Sequence, residues 1–139
     1  MTDPKLLCRI LVVCALAVTG CSDKNTAQVT AAIEAAKRDP RVEQLDVQPY
    51  VDRKIAKICL QNPYNTKENF EKRVKQKVDD FSWVDDSSKV VWFFLSDGTS
   101  FQIKVWYYDV SEKSSACSAS SKLFFERRES DVNLFILEE

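Results

Sequence analysis

The chain has 139 residues, enough for one domain, and sets 20 basic against 21 acidic side chains, a near balance that gives nucleic acid no general electrostatic hold. It contains no histidine, which removes the usual general base near neutral pH and the commonest metal ligand. Gly20 and Gly98 are its only glycines, too few for a glycine-rich phosphate loop.

Met1 to Arg9 contains Lys5 and Arg9, and Ile10 to Thr19 is a largely apolar run. A bilayer-spanning helix needs about 20 such residues, whereas a run half that long suits the apolar region of a signal peptide. The run ends in Val18-Thr19-Gly20-Cys21. This tetrapeptide resembles the lipobox of bacterial lipoproteins: an aliphatic residue, a small residue, glycine or alanine, then the cysteine. Leucine is commoner than valine at the first place. The resemblance is confined to residues 1–21. It implies that residues 1–20 are removed by signal peptidase II and that Cys21 is lipidated, with palmitate as a label for it. Residues 21–139 would then form one mature periplasmic domain. Ser22, where aspartate would favour inner-membrane retention in enteric-type bacteria, implies the periplasmic leaflet of the outer membrane. An ordinary secretory signal with a coincidental cysteine is the competing reading.

Cys8 and Cys14 lie in the segment to be removed, which leaves Cys59 and Cys117. Two cysteines in an oxidising compartment most simply form a disulfide, with buried free thiols as the alternative. A catalytic thiol would want a histidine or another basic partner.

Residues 25 to 38 predict a helix, with Val29, Ala32, Ile33 and Ala36 on one face and Asp39-Pro40 ending it. Val42 to Val47 reads either as a short strand or as irregular chain. Pro49 opens an expected second helix carrying Val51, Ile55, Ile58 and Cys59 on one face, closed by Asn62-Pro63. Asn65 with Glu68 resembles a capping box for a third helix running to about Asp80, with Phe70, Val74, Val78 and Phe81 as its buried stripe.

The period then changes. Val90 to Leu95 and Ser100 to Tyr108 flank Asp97-Gly98, a strong hairpin signal. A two-residue Asp97-Gly98 loop pairs Leu95 with Ser100 and Phe94 with Phe101. It puts Trp92 and Phe94 on an apolar face toward the helices. The other face mixes Val91, Phe93 and Leu95 with Ser100, Gln102, Lys104, Trp106 and Tyr108. A serine-rich loop carries Cys117, and Lys122 to Arg127 with Val132 to Leu137 predict a second hairpin. Helices followed by strands give an α+β class, with N-terminal helices packed on one face of an antiparallel meander of about four strands.

The mixed face suggests a partner-binding site at Phe93, Trp106 and Tyr108, since aromatics anchor interfaces. The alternative is that residues 39 to 50 fold over that face and bury it. Lys67, Lys72, Arg73, Lys75 and Lys77 on the third helix either meet anionic headgroups or face solvent. Asp79, Asp80, Asp85 and Asp86 lack the spacing and glycine of a calcium loop and read as turn and cap residues. These features point to a membrane-anchored, non-enzymatic protein-binding module without cofactor, metal or nucleic acid. It would serve as a subunit of an envelope assembly or secretion machine, or as an immunity protein or inhibitor neutralising an effector enzyme. An apolar-ligand carrier is a third class, requiring residues such as Trp92, Phe94 and Tyr107 to line a cavity, and an enzyme working through carboxylates alone is a fourth.

Overall fold

The computed structural model describes residues 24–129 and 131–138; Cys21 and its lipobox lie outside them. Helix α1 (Lys24–Arg38) buries Val29, Ile33 and Ala36, the stripe that helical spacing dictates. Its exposed carbonyl end is closed from a distance. The Arg127 guanidinium donates to the carbonyls of Ala36, Lys37, Asp39 and Val42 at 2.6–2.9 Å. A fixed cation there satisfies orphan carbonyls and opposes the negative end of the helix dipole.

The strands are β1 (Gln44–Asp46), β2 (Ile55–Gln61), β3 (Ser88–Leu95), β4 (Ser100–Trp106), β5 (Cys117–Ser118), β6 (Lys122–Arg128) and β7 (Asp131–Phe135), with helix α2 (Lys67–Val74) between β2 and β3. They form a four-stranded sheet in the order β4-β3-β2-β5 and a three-stranded sheet in the order β1-β6-β7. Every strand pairing is antiparallel, so the class is α+β. Two sheets replace the single meander, and the two helices take opposite faces of the larger one. Among the described residues no helix is long and apolar enough to cross a membrane.

The expected second helix is instead strand β2, and Pro49 opens only one 3-10 turn, Gln48–Tyr50. Ile55, Ile58 and Cys59 satisfy helical spacing. They belong, however, to a seven-residue strand whose residues 58–61 are buried on both faces of a sheet, where strand alternation disappears. Val42 to Val47 contributes β1, which pairs with β6.

Helix α2 is capped by Thr66, whose hydroxyl accepts from the Asn69 amide. Asn65, the expected cap, accepts from the Asn62 amide instead and braces the loop before it. The helix stops at Val74 because Lys75 turns left-handed at φ 58°, well short of Asp80. Val78 still reaches the helix's buried cluster, and Phe81 packs against its edge, because the Glu71 carboxylate accepts from the Val78 amide and holds the departing chain.

The first hairpin is present, but its register is one residue from the expected one. Phe94 pairs with Ser100 and Phe93 with Phe101. The loop has three residues, Ser96-Asp97-Gly98, closed by the Leu95 amide on the Thr99 carbonyl at 2.8 Å. Gly98 sits at φ +88°, the left-handed position that such a bulged loop requires. A one-residue slip exchanges the faces of one strand relative to the other. Val91, Phe93 and Leu95 therefore share a face with Phe101, Ile103 and Val105, while Val90, Trp92 and Phe94 sit across from Lys104, Gln102 and Ser100.

Both faces of β3 are buried. The first packs with α1, Val47, Val51 and the inner side chains of β6 and β7. Residues 42–51 thus help to cover Phe93, as the alternative reading of that face required. The second packs under α2, with Phe70, Val74, Val78 and Val84 around Trp92 and Phe94.

The second hairpin is where the sequence places it, with Phe124 opposite Phe135 and Arg128 opposite Asp131. Cys59 and Cys117 are disulfide-bonded across the β2–β5 pair. The segment between β4 and β5 joins the two sheets. Ser111 and Ser115 amides donate to the Leu134 and Ile136 carbonyls, and the Leu60 amide donates to the Ala116 carbonyl.

Candidate protein-binding surface

Among the described residues, three of the seven large hydrophobic side chains left exposed stand together where β4 ends. The strand stops at Trp106, and the Tyr107 amide still donates to the carbonyl of Ser87, the residue before β3, at 3.0 Å. A 3-10 turn, Tyr107–Asp109, follows. Trp106, the last paired residue of β4, is 67% exposed, and Tyr108, in the turn, 80%. The Tyr107 ring meets Tyr108 edge-on at 5.3 Å and holds the Lys89 ammonium 4.6 Å from its centre. Partial burial under that ring lowers the Lys89 pKa. The Lys37 ammonium reaches Asp109 at 3.8 Å and ties the turn to α1.

The sequence-derived site therefore divides. Trp106 and Tyr108 lie on the surface, two residues apart, and form a ridge with Tyr107. Phe93 does not belong to it. Its ring is fully buried and stacked on Phe101 at 4.7 Å, because the register turns it into the first core. A cavity lined by Trp92, Phe94 and Tyr107 is not formed. Trp92 and Phe94 are buried with ring centres 5.9 Å apart, while Tyr107 is at the surface.

Two clefts flank the ridge. One, of about 310 Å³, runs between Tyr107, Tyr108 and the outer side of β6. Glu126 is its central charge, accepting from the Ser111 hydroxyl at 2.6 Å and from Arg128 at 2.5 Å, with Lys113 3.8 Å away. The Ser111 hydrogen bond, then Arg128 and Lys113, hold the Glu126 carboxyl below its ordinary pKa against partial desolvation. The other, of about 150 Å³, lies between α1 and β4 and is lined by Ile33, Lys37, Val105, Trp106 and Asp109. Side chains of a partner could seat in either cleft beside the aromatic rings.

A second exposed aromatic pair escaped sequence reading. Tyr64 and Trp83 pack with ring centres 5.5 Å apart, both more than half exposed. The Tyr64 amide donates to the Val84 carbonyl and joins their loops. Tyr64 occupies φ 61°, unusual for a bulky residue. The only signal available was an isolated tryptophan in an aspartate-rich loop. Among those aspartates, Asp85 caps its own turn by accepting from the Ser87 amide and hydroxyl. Among the described residues, no group of three or more cysteine, aspartate or glutamate side chains could hold a metal ion.

No protein-family model, curated protein or solved structure matches the chain.

Proposed function

We propose that the chain is a periplasmic lipoprotein, anchored through Cys21 in the outer membrane, that binds a protein partner without catalysing a reaction. The observation that carries the binding reading is the Trp106–Tyr108 ridge. Three consecutive aromatics stand on a surface whose backbone is fixed by β3, Ser87 and α1. Large aromatic side chains are exposed at a solvation cost, and rigid aromatic anchors flanked by clefts are what hot spots in protein interfaces use. The anchor rests on the signal-like segment and lipobox of residues 1–21.

The test is affinity capture from the native envelope, comparing the lipidated wild-type protein with its Trp106→Ala variant. The wild type should retain a discrete partner. The variant should melt as the wild type does and lose roughly 30-fold in affinity, the equivalent of ~2 kcal/mol for one anchor. Capture that is unchanged by Trp106→Ala would remove the ridge from the interface. Absence of palmitate on the wild type, or normal labelling of Cys21→Ala, would remove the anchor.

A further inference from the structure

We propose that the pole of the domain built from Lys24, residues 52–57, residues 75–77 and the first hairpin tip rests on anionic phospholipid headgroups, so that the aromatic ridge points away from the membrane. The inference deepens the proposed function and rests on lipidation of Cys21.

Four separate segments converge at this pole. The Asn25 side chain, buried at the start of α1, donates to Asp52 at 3.1 Å and fixes the helix start beside the loop before β2. That loop grips the hairpin tip. Arg53 donates to Asp97 at 2.7 Å and to Thr99 at 2.9 Å, and the Ser96 amide donates to the Lys54 carbonyl. The C-terminal end of α2 arrives from the other face. Lys57 donates to the Val74 carbonyl, and Gln76 reaches the Gly98 carbonyl.

These segments bring Lys24, Arg53, Lys54, Lys57, Lys75 and Lys77 together against Asp52, Asp97 and Glu71, six cations to three carboxylates. Asp52 and Asp97 are both engaged by Arg53. The Lys77 ammonium is 3.8 Å from Glu71. Lys24, Lys54 and Lys75 are exposed. The sequence pattern had grouped Lys75 and Lys77 with the third helix; the fold sets them just beyond α2 and adds Lys24, Arg53, Lys54 and Lys57.

Cys21 precedes Lys24 by three residues, and three residues of chain span at most about 11 Å. A lipid on Cys21 therefore holds this pole within roughly a Debye length of the headgroups, the range over which surface charge acts. Five of the six exposed aromatics among the described residues lie at the opposite end; Tyr50, 40% exposed, sits in the turn that Gln48 joins to Arg53. Strand β4 runs from Ser100 beside the hairpin tip to Trp106, about 20 Å at 3.4 Å per residue. Tyr64 and Trp83 sit past the far ends of β2 and β3, where Tyr64 is bonded to Val84. Cations at the tethered end and aromatics at the free end suit a domain that sits on one surface and presents the other.

The test uses the lipidated full-length mature protein in vesicles of phosphatidylcholine, alone or mixed equally with phosphatidylglycerol. A fluorophore is placed on Lys54→Cys or on Tyr108→Cys, with an acceptor on the lipid headgroups. Energy transfer should be severalfold stronger from position 54 than from 108 in the anionic vesicles. That difference should collapse in phosphatidylcholine alone and in a Lys24→Glu, Lys54→Gln, Lys75→Glu variant probed at position 108, where transfer should rise. Equal transfer from both positions in anionic vesicles overturns the orientation, and a difference indifferent to lipid charge overturns the contact with anionic headgroups. Flotation with the vesicles at high salt reports the anchor separately. Its loss overturns the lipoprotein reading and the orientation that depends on it.

Discussion

The two faces of the four-stranded sheet are closed by different means. The face toward α1 and the smaller sheet is a broad, mostly aliphatic core, with Ile33, Ile58, Leu60, Leu123, Leu134 and Ile136 among its members. The face toward α2 is smaller and built around three aromatic rings, those of Phe70, Trp92 and Phe94. It also admits polar groups. Gln61 is fully buried, accepting from the Trp92 indole at 2.8 Å and donating to the Ser82 carbonyl at 2.7 Å. Arg73 donates to the Leu60 carbonyl, stacks 5.6 Å from the centre of Phe70, and leaves its Nε buried without a partner. Burial lowers the pKa of Arg73 and of Lys57. A helix of eight residues cannot cover a sheet face with apolar contact alone. That face is therefore fastened by hydrogen bonds and by the Cys59–Cys117 bond at its margin.

The contrast sets the order of expected effects. Replacing both Cys59 and Cys117 by alanine frees a loop of 58 residues, which chain entropy values at up to ~4 kcal/mol. Urea unfolding should show most of that loss. A loss under ~1 kcal/mol would mean that the α2 face holds without its covalent margin. Gln61→Met keeps the volume but strands the Trp92 indole and the Ser82 carbonyl, at an expected ~1–3 kcal/mol. A neutral Gln61→Met would show that apolar packing suffices there. The smallest effect belongs to Trp106→Ala, on the same side of β4 but beyond the cover of α2. Thermal melting should place it within ~0.5 kcal/mol of the wild type.

How legible these faces were in the sequence depended on whether local chemistry decided the element. Helix α1 was readable because its apolar stripe and Asp39-Pro40 stop are local. The second hairpin was readable because two apolar runs flank a polar turn. The disulfide followed from having two cysteines left after the lipobox. Strand β2 was not readable, because a central strand buried on both sides loses the alternation that separates strand from helix. The hairpin was visible but its register was not, since Asp97-Gly98 serves a three-residue bulged loop as readily as a two-residue one. That single residue moved Phe93 from the candidate surface to the core. Trp106 reached the surface because it lies beyond the cover of α2, and Tyr108 because β4 gives way to a 3-10 turn. The Arg127 cap was invisible because 85 to 91 residues separate the guanidinium from the carbonyls it serves.

Burial of β3 on both faces is the claim on which the register, the two cores and the boundary of the binding surface depend. Urea titration of Trp92→Ala and Phe93→Ala tests it with adjacent residues that point to opposite sides. Each substitution should cost ~3–5 kcal/mol, enough to unfold a marginal domain. A Phe93→Ala protein that loses less than ~1 kcal/mol, beside a Trp92→Ala protein that unfolds, would mean that Phe93 faces solvent and that only one face of β3 is buried.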